Sequence, residues 1–308
     1  MPGRMPHHAR VAVTAATLLS SGCAGAPSPR STEAIVQGAT DAARPVASTF
    51  GFSGPEAVRY DPEQDVYFVG NFNGEGDALD SNGFISRLRP DGTVERLRFI
   101  AGGQGGAMLH APRGMAITGD TLWAADVDAV RGFHRRTGAP LATVSFAGVD
   151  VGFLNDVTPG PDGALYVTDT GKNRVYRLAG GQVAVALGDS ALGGPNGITW
   201  DAANSRFLVV PYGGGHAIFG WRAGSTTLDT VGTSAGARFD GVEVLGGGRV
   251  LVASQADSSL HLFAGGTGRP VVRTAGQPAD IGVDTRRNRV AVPYISLDRV
   301  DIWDVPRP

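Results

Sequence analysis

Short apolar runs that alternate with polar positions, each bounded by a glycine-containing turn, fill the chain from about residue 46 to its end. That period belongs to strands, not helices. The clearest stretch is in the middle of the chain. Asn155–Thr158 starts a strand, Gly160-Pro161-Asp162-Gly163 is a turn, and Ala164–Thr168 alternates as a second strand. Asp169-Thr170-Gly171-Lys172-Asn173 turns again before a third strand at Arg174–Leu178. The same order returns in Phe207–Pro211 followed by Ala217–Trp221, in Val250–Ala253 followed by Ser259–Phe263, and in Val290–Pro293 followed by Arg299–Trp303. No helical pattern separates these strands, which excludes a parallel α/β sheet.

The segment that opens each group recurs six times: Gly-Pro-Glu-Ala-Val at 54–58, Ala-Pro-Arg-Gly-Met at 111–115, Phe-Leu-Asn-Asp-Val at 153–157, Gly-Pro-Asn-Gly-Ile at 194–198, Arg-Phe-Asp-Gly-Val at 238–242 and Gln-Pro-Ala-Asp-Ile at 277–281. Its third positions are spaced by 57, 42, 41, 44 and 39 residues. A period near 40 is that of one four-stranded propeller blade. The predicted fold is therefore all-β, a six-bladed β-propeller over residues 46–308. The sixth unit reaches Pro308 after only three strands, so residues 46–52 are expected to supply the fourth, paired near Arg299–Trp303, and to close the ring. The first unit is longer because of a polar insertion, Asn71–Asn82, of the kind that shapes a site on one face of a ring.

Composition narrows the function. Net charge is −2 with no long basic run, which removes the electrostatic footprint of nucleic-acid binding. Gly102-Gly103-Gln104-Gly105-Gly106 lacks the Lys-Ser/Thr of a phosphate loop, so no nucleotide is expected. Gly232-Thr233-Ser234-Ala235-Gly236 matches the pattern of a nucleophile elbow but lies in the link between the fourth and fifth units, and reads as a chance match. The single cysteine, Cys23, excludes an intrachain disulfide and a cysteine-based zinc site. Arg4 and Arg10 precede the apolar stretch Val11–Leu19 and the small residues Ser20-Ser21-Gly22, which reads as a secretory signal over residues 1–22. Leu-Ser-Ser-Gly-Cys-Ala resembles a bacterial lipobox, with cleavage after Ala24 or Ala26 as a plain signal the alternative. Residues 23–45 then read as a flexible tether behind a lipidated Cys23. The expected location is the periplasmic or extracellular face, with the membrane touched only through the lipid.

The third position of the repeat reads Glu56, Arg113, Asn155, Asn196, Asp240, Ala279. Asp, Glu and Asn make up 37 of 308 residues, so six arbitrary positions should hold fewer than one, and four is an enrichment. The inner strands of a propeller start at the central channel, which would bring Glu56, Asn155, Asn196 and Asp240 face to face. Two carboxylates and two amide oxygens suit Ca²⁺, with Mg²⁺ or Mn²⁺ acceptable. A local preference of Asn and Asp for strand-start turns accounts for the same column without a metal.

These segments resemble the metal-binding strand starts of the senescence marker protein/gluconolactonase family and its paraoxonase and strictosidine synthase relatives, over roughly residues 50–305. The resemblance implies a six-bladed propeller with Glu56, Asn155, Asn196 and Asp240 as calcium ligands, Asp240 also as a base, and a small lactone or ester as substrate. Paraoxonases carry a catalytic His where this chain has Arg113. Arginine stays protonated and cannot be a base, so Arg113 is expected either to bind a substrate carboxylate or an oxyanion, or to pair with Asp156 or another channel acid. His110 and His216 near strand starts, and Asn71 and Asn73 in the insertion, are further substrate-binding candidates, with ordinary loop hydrogen bonding as the alternative. Generic propellers of the NHL type share parts of these motifs, so a non-catalytic binding propeller and a metal-free scaffold stand beside the hydrolase reading.

Overall fold

The computed structural model describes residues 44–307, and the expected signal, Cys23 and most of the tether lie outside them. Twenty-four strands form six antiparallel four-stranded meanders. Their innermost strands are Pro55–Asp61, Met115–Thr118, Leu154–Pro159, Pro195–Asp201, Phe239–Leu245 and Gly282–Asp284. Each blade runs outward in chain order, except that Ala47–Phe50 forms the outer edge of the sixth. Ala47 pairs with Ile302 and Phe50 with Arg299, so the expected closure is present.

The ring is held by apolar packing between blades. Six buried clusters occur, and each is shared by two successive blades. Phe68, Met115 and Leu122 join the first to the second; Ala125, Leu154 and Val167 join the second to the third; Tyr166, Phe207 and Trp221 join the third to the fourth. Val210, Phe239 and Val252 continue to the fifth, and Leu251, Val292 and Trp303 to the sixth. Val58, Tyr67, Ala291 and Ile302 complete the circle. A blade sandwiched on both faces has no need of apolar/polar alternation in its inner strands. Val66–Asn71 is buried throughout, whereas the outer strand Pro140–Ser145 is exposed at nearly every residue.

The fourth and fifth blades are further joined at their outer edges, where Thr233 pairs with Thr267 and Ser234 with Gly268 in parallel. The Gly232–Gly236 segment is thus an outer strand and its exit turn, in which the Ser234 hydroxyl oxygen accepts from Gly236 N (3.1 Å). No helix follows it.

Removing residues up to 53 should unmask the unpaired edge of Arg299–Asp304 and part of the closing apolar cluster. The shortened protein should aggregate or lose several degrees in Tm, read by light scattering and thermal denaturation. An unchanged monomer would show that closure does not depend on this strand.

Candidate functional site

Glu56, Asn155, Asn196 and Asp240 occupy equivalent places in four blades, and each sits at a break in the strand ladder. Pro55 pairs with Asn71 and Ala57 with Gly70, leaving Glu56 as an extra residue. The ladder likewise jumps between Leu154 and Val157, between Pro195 and Ile198, and between Phe239 and Val242. A bulge inserts a residue into one strand, turns it out of the pleat and re-aims its side chain. Here all four side chains line one cavity of about 290 Å³ at the channel mouth, together with Phe72, Phe153, Thr170, Tyr212, Gln255 and Ile295.

The position after each bulged residue is set by how closely neighbouring inner strands approach. A Cβ on Gly197 would lie 2.3 Å from Asp240 O, and one on Gly241 2.4 Å from Ile281 N. Only glycine fits there. The third and sixth blades carry Asp156 and Asp280 at this position instead. Asp156 Oδ2 accepts from Ile198 N (2.8 Å) and Oδ1 from Val157 N (2.7 Å), so its carboxylate bridges two blades.

The floor of the cavity has oxygens with nothing to bond. Glu56 Oε2, Asn196 Oδ1 and Asp240 Oδ1 are buried and have no hydrogen-bond partner. Buried polar atoms are nearly always paired, so three orphaned acceptors facing one space is a departure that calls for a ligand. Asp240 is oriented from behind: Gln255 Nε2 donates to its Oδ2 (2.7 Å), the Tyr212 hydroxyl donates to Gln255 Oε1 (3.1 Å), and Arg238 Nη2 donates to the Tyr212 oxygen (2.5 Å). Asn155 Nδ2 donates to Thr170 Oγ1 (3.1 Å), which commits the amide nitrogen and leaves the oxygen for the cavity.

Charge crowding says the same. Burial, then the neighbouring Asp240, hold the Glu56 carboxyl well above the ordinary carboxylate range. Burial, then Asp156, push Asp240 up to about 7. Asp156 is itself raised to about 7 by burial, against the pull of Arg59. Three residues further along the strands, Arg59 pairs with Glu243 and lies 4.0 Å from Asp280 Oδ2. Burial also raises Glu243 and, with Asp156, Asp280. Below this layer a larger cavity of about 560 Å³ opens at the other mouth, lined by Arg59, Tyr60 and Trp200 among others.

Several sequence candidates lie elsewhere. Arg113 is 1% exposed and does not line the cavity. Its guanidinium lies 3.8 Å beneath the Phe153 ring and 5.9 Å from that of Phe72, donating to Leu154 O (2.9 Å) and to Gly76 O. It therefore braces the first-blade insertion and two aromatic walls, and among the described residues it forms no ion pair with Asp156 or another channel acid. Asn71 is the last residue of a strand and fully buried, with Oδ1 accepting from Ser53 N (3.1 Å) and Nδ2 donating to Val69 O (2.9 Å). Asn73 donates to Asn82 O (2.9 Å) within the insertion. His216 is exposed and its Nδ1 lies 2.7 Å from Gly236 O. His110 accepts from Ser81 N (2.9 Å) through Nδ1. Neither asparagine and neither histidine lines the cavity.

His110, Asp126 and Asp128 form a second acidic group, but its acids are already used. Arg131 Nε donates to Asp126 Oδ2 and Nη2 to Asp128 Oδ1, both at 2.6 Å, and Asp126 also accepts from His110 N and Ala111 N. This is a clamp on the loop before an inner strand.

No protein-family model and no curated protein matches this sequence. Solved structures resemble it at low identity. A gluconolactonase from Xanthomonas campestris shares 18% identity, covering 83% of this chain and 88% of that one, with a TM-score of 0.61. Virginiamycin B lyase from Staphylococcus aureus shares 14%, covering 84% and 99%, at 0.58. A luciferin-regenerating enzyme shares 10%, covering 82% and 91%, also at 0.58. The chain has the fold of propeller enzymes. At these identities the likeness is one of fold.

Two outcomes follow from the charges. Acids with pKa values raised to about 7, against roughly 3.9 in an unfolded chain, bind protons more tightly when folded. Their contribution to stability is complete at low pH and is lost as pH rises towards about 7. Freed of divalent cations, the protein should melt several degrees lower at about pH 8 than at about pH 5.5, and Asp240→Asn should raise Tm at the higher pH. A pH-independent Tm would contradict the crowding. Separately, Arg113→Met removes one buried and one partly buried hydrogen bond and should lower the unfolding free energy in urea by about 1–3 kcal/mol.

Proposed function

We propose that the protein is a divalent-cation-dependent hydrolase of a lactone or ester, with Ca²⁺ held by Glu56, Asn155, Asn196 and Asp240. The observation that carries this is the set of orphaned buried oxygens on three of those four residues. Carboxylate and amide oxygens are the donors that calcium selects, and the same crowding that raises the carboxyl pKa values is relieved by a cation. The likeness to a gluconolactonase supports the choice of reaction class.

A divalent cation in such a place supplies polarisation of a carbonyl and acidification of water. The chain itself supplies the rest. Gln255 occupies Asp240 Oδ2, so Oδ1 is the atom turned to the cavity, where it would serve the cation with one lone pair and an attacking water with the other. The cavity carries no other titratable side chain than Glu56, Asp240 and the tyrosine held by Arg238. A histidine-to-alanine variant of the similar lyase is described as catalytically inactive, whereas no histidine lines this cavity, which favours hydrolysis over lyase chemistry here. Export and lipid anchoring at Cys23 belong to the same proposal, and Cys23→Ser should release the protein from the detergent phase.

Ca²⁺ should raise the Tm of chelator-treated wild type and restore turnover on a panel of lactones and aryl esters. Asp240→Ala should abolish both responses, while Asn196→Asp should keep the thermal shift and alter turnover. Calcium binding with no turnover on any substrate would leave a non-catalytic binding propeller. No thermal response in wild type would remove the metal.

A further inference from the structure

Resting on that reading, we propose that the cavity accepts a small, uncharged lactone or ester with an apolar substituent, and discriminates against polyhydroxylated lactones. The inference comes from counting free polar groups. Phe72, Phe153 and Ile295 form apolar wall. The polar lining residues are already engaged with one another. Thr170 Oγ1 donates to Pro195 O (2.8 Å) and accepts from Asn155. Tyr212 donates to Gln255 and accepts from Arg238, and Gln255 spends its amide between Tyr212 and Asp240.

Among the buried polar atoms of this lining, those left unpaired are the acceptor oxygens on the floor, which are proposed to hold the cation. A sugar-derived lactone would bring several hydroxyl groups to walls that offer them no partner, and each would give up its hydrogen bonds to water. An alkyl or aryl group gains by the same transfer. A charged substrate is excluded by a different feature. The guanidinium of Arg113 is covered by the Phe153 ring and turned to backbone carbonyls, and that of Arg238 is engaged by the Tyr212 hydroxyl oxygen. The volume of about 290 Å³ is at the small end of ligand cavities.

The reaction balances with water alone. The water oxygen bonds to the acyl carbon, the acyl carbon–oxygen single bond breaks, and the departing oxygen takes a proton. The product is a hydroxy acid that releases one proton at neutral pH.

A matched pair tests this: δ-decalactone and glucono-1,5-lactone share a ring and differ in whether its substituents are alkyl or hydroxyl. With Ca²⁺ present, kcat/KM above the spontaneous rate should favour δ-decalactone by about 100-fold or more. Ile295 is a half-buried lip residue whose replacement leaves the bulges intact. Ile295→Ser should reduce turnover of δ-decalactone about tenfold while the calcium-induced Tm shift persists. Equal turnover of the two lactones, preference for the sugar lactone, or an Ile295→Ser variant with unchanged selectivity overturns the inference. If neither is turned over, saturation-transfer NMR on the calcium-treated protein separates the two claims. Binding of δ-decalactone alone sustains the apolar cavity and removes the hydrolase, whereas binding of neither, or of both alike, overturns the apolar cavity.

Discussion

The constraint on which the site depends is the approach of six inner strands around one channel. Their backbones come so close that a Cβ on Gly197 or Gly241 would fall 2.3–2.4 Å from a backbone atom of the next strand, far inside van der Waals contact. The ladder is broken at the residues before Asp156, Gly197 and Gly241. Those bulges turn Asn155, Asn196 and Asp240 towards the axis, and the bulge at Glu56 adds the fourth. Site geometry is thus a by-product of ring closure. A change in how tightly the blades pack would move all four side chains together.

That arrangement concentrates negative charge where water is scarce. Five carboxyl groups, those of Glu56, Asp156, Asp240, Glu243 and Asp280, share the channel with the guanidinium of Arg59, and Arg113 lies beside it. Arg59 is tied to Glu243, so the upper carboxylates are left without a counter-charge in contact. Such a cluster opposes folding of the cation-free chain, and the six interblade apolar clusters must outweigh it. Rigid blades also keep the carboxylates from relaxing apart. Repulsion of this kind at a site is tolerated because the surrounding packing is extensive.

The fold was legible because a propeller repeats. Six occurrences of one segment at a spacing near 40 residues gave blade number, strand order and the closing role of residues 46–52. The column of Glu56, Asn155, Asn196 and Asp240 was legible for the same reason, since equivalent positions of a ring converge. What stayed hidden depends on side-chain direction, which repeat position does not report. Arg113 belongs to the same column, yet it carries no ladder bulge and its long side chain reaches under Phe153 to backbone carbonyls. His110 and Asn71 point into local hydrogen bonds that no spacing reveals. Asp156, read from sequence only as a possible partner of Arg113, and Asp280 fall in a fourth column that otherwise holds glycine or alanine. The exception to a glycine column was itself the signal. The walls were illegible for another reason: Phe72, Tyr212 and Ile295 come from loops of three different blades, outside the repeating segment.

The layering of the channel gives the cavity its character. Arg59 and Glu243 join the first blade to the fifth below the floor, so the cavity is addressed from one mouth. Its lower part is made of oxygens held by a relay that ends at Arg238, and its upper part is largely aromatic and aliphatic. Apolar walls keep water from competing for the floor, which strengthens every electrostatic interaction made there. They also spend no polar group on recognising the substrate, so affinity has to come from burial of its apolar surface while orientation comes from the floor. A pit built this way selects by what it cannot solvate, and each further hydroxyl group on a substrate adds to that cost.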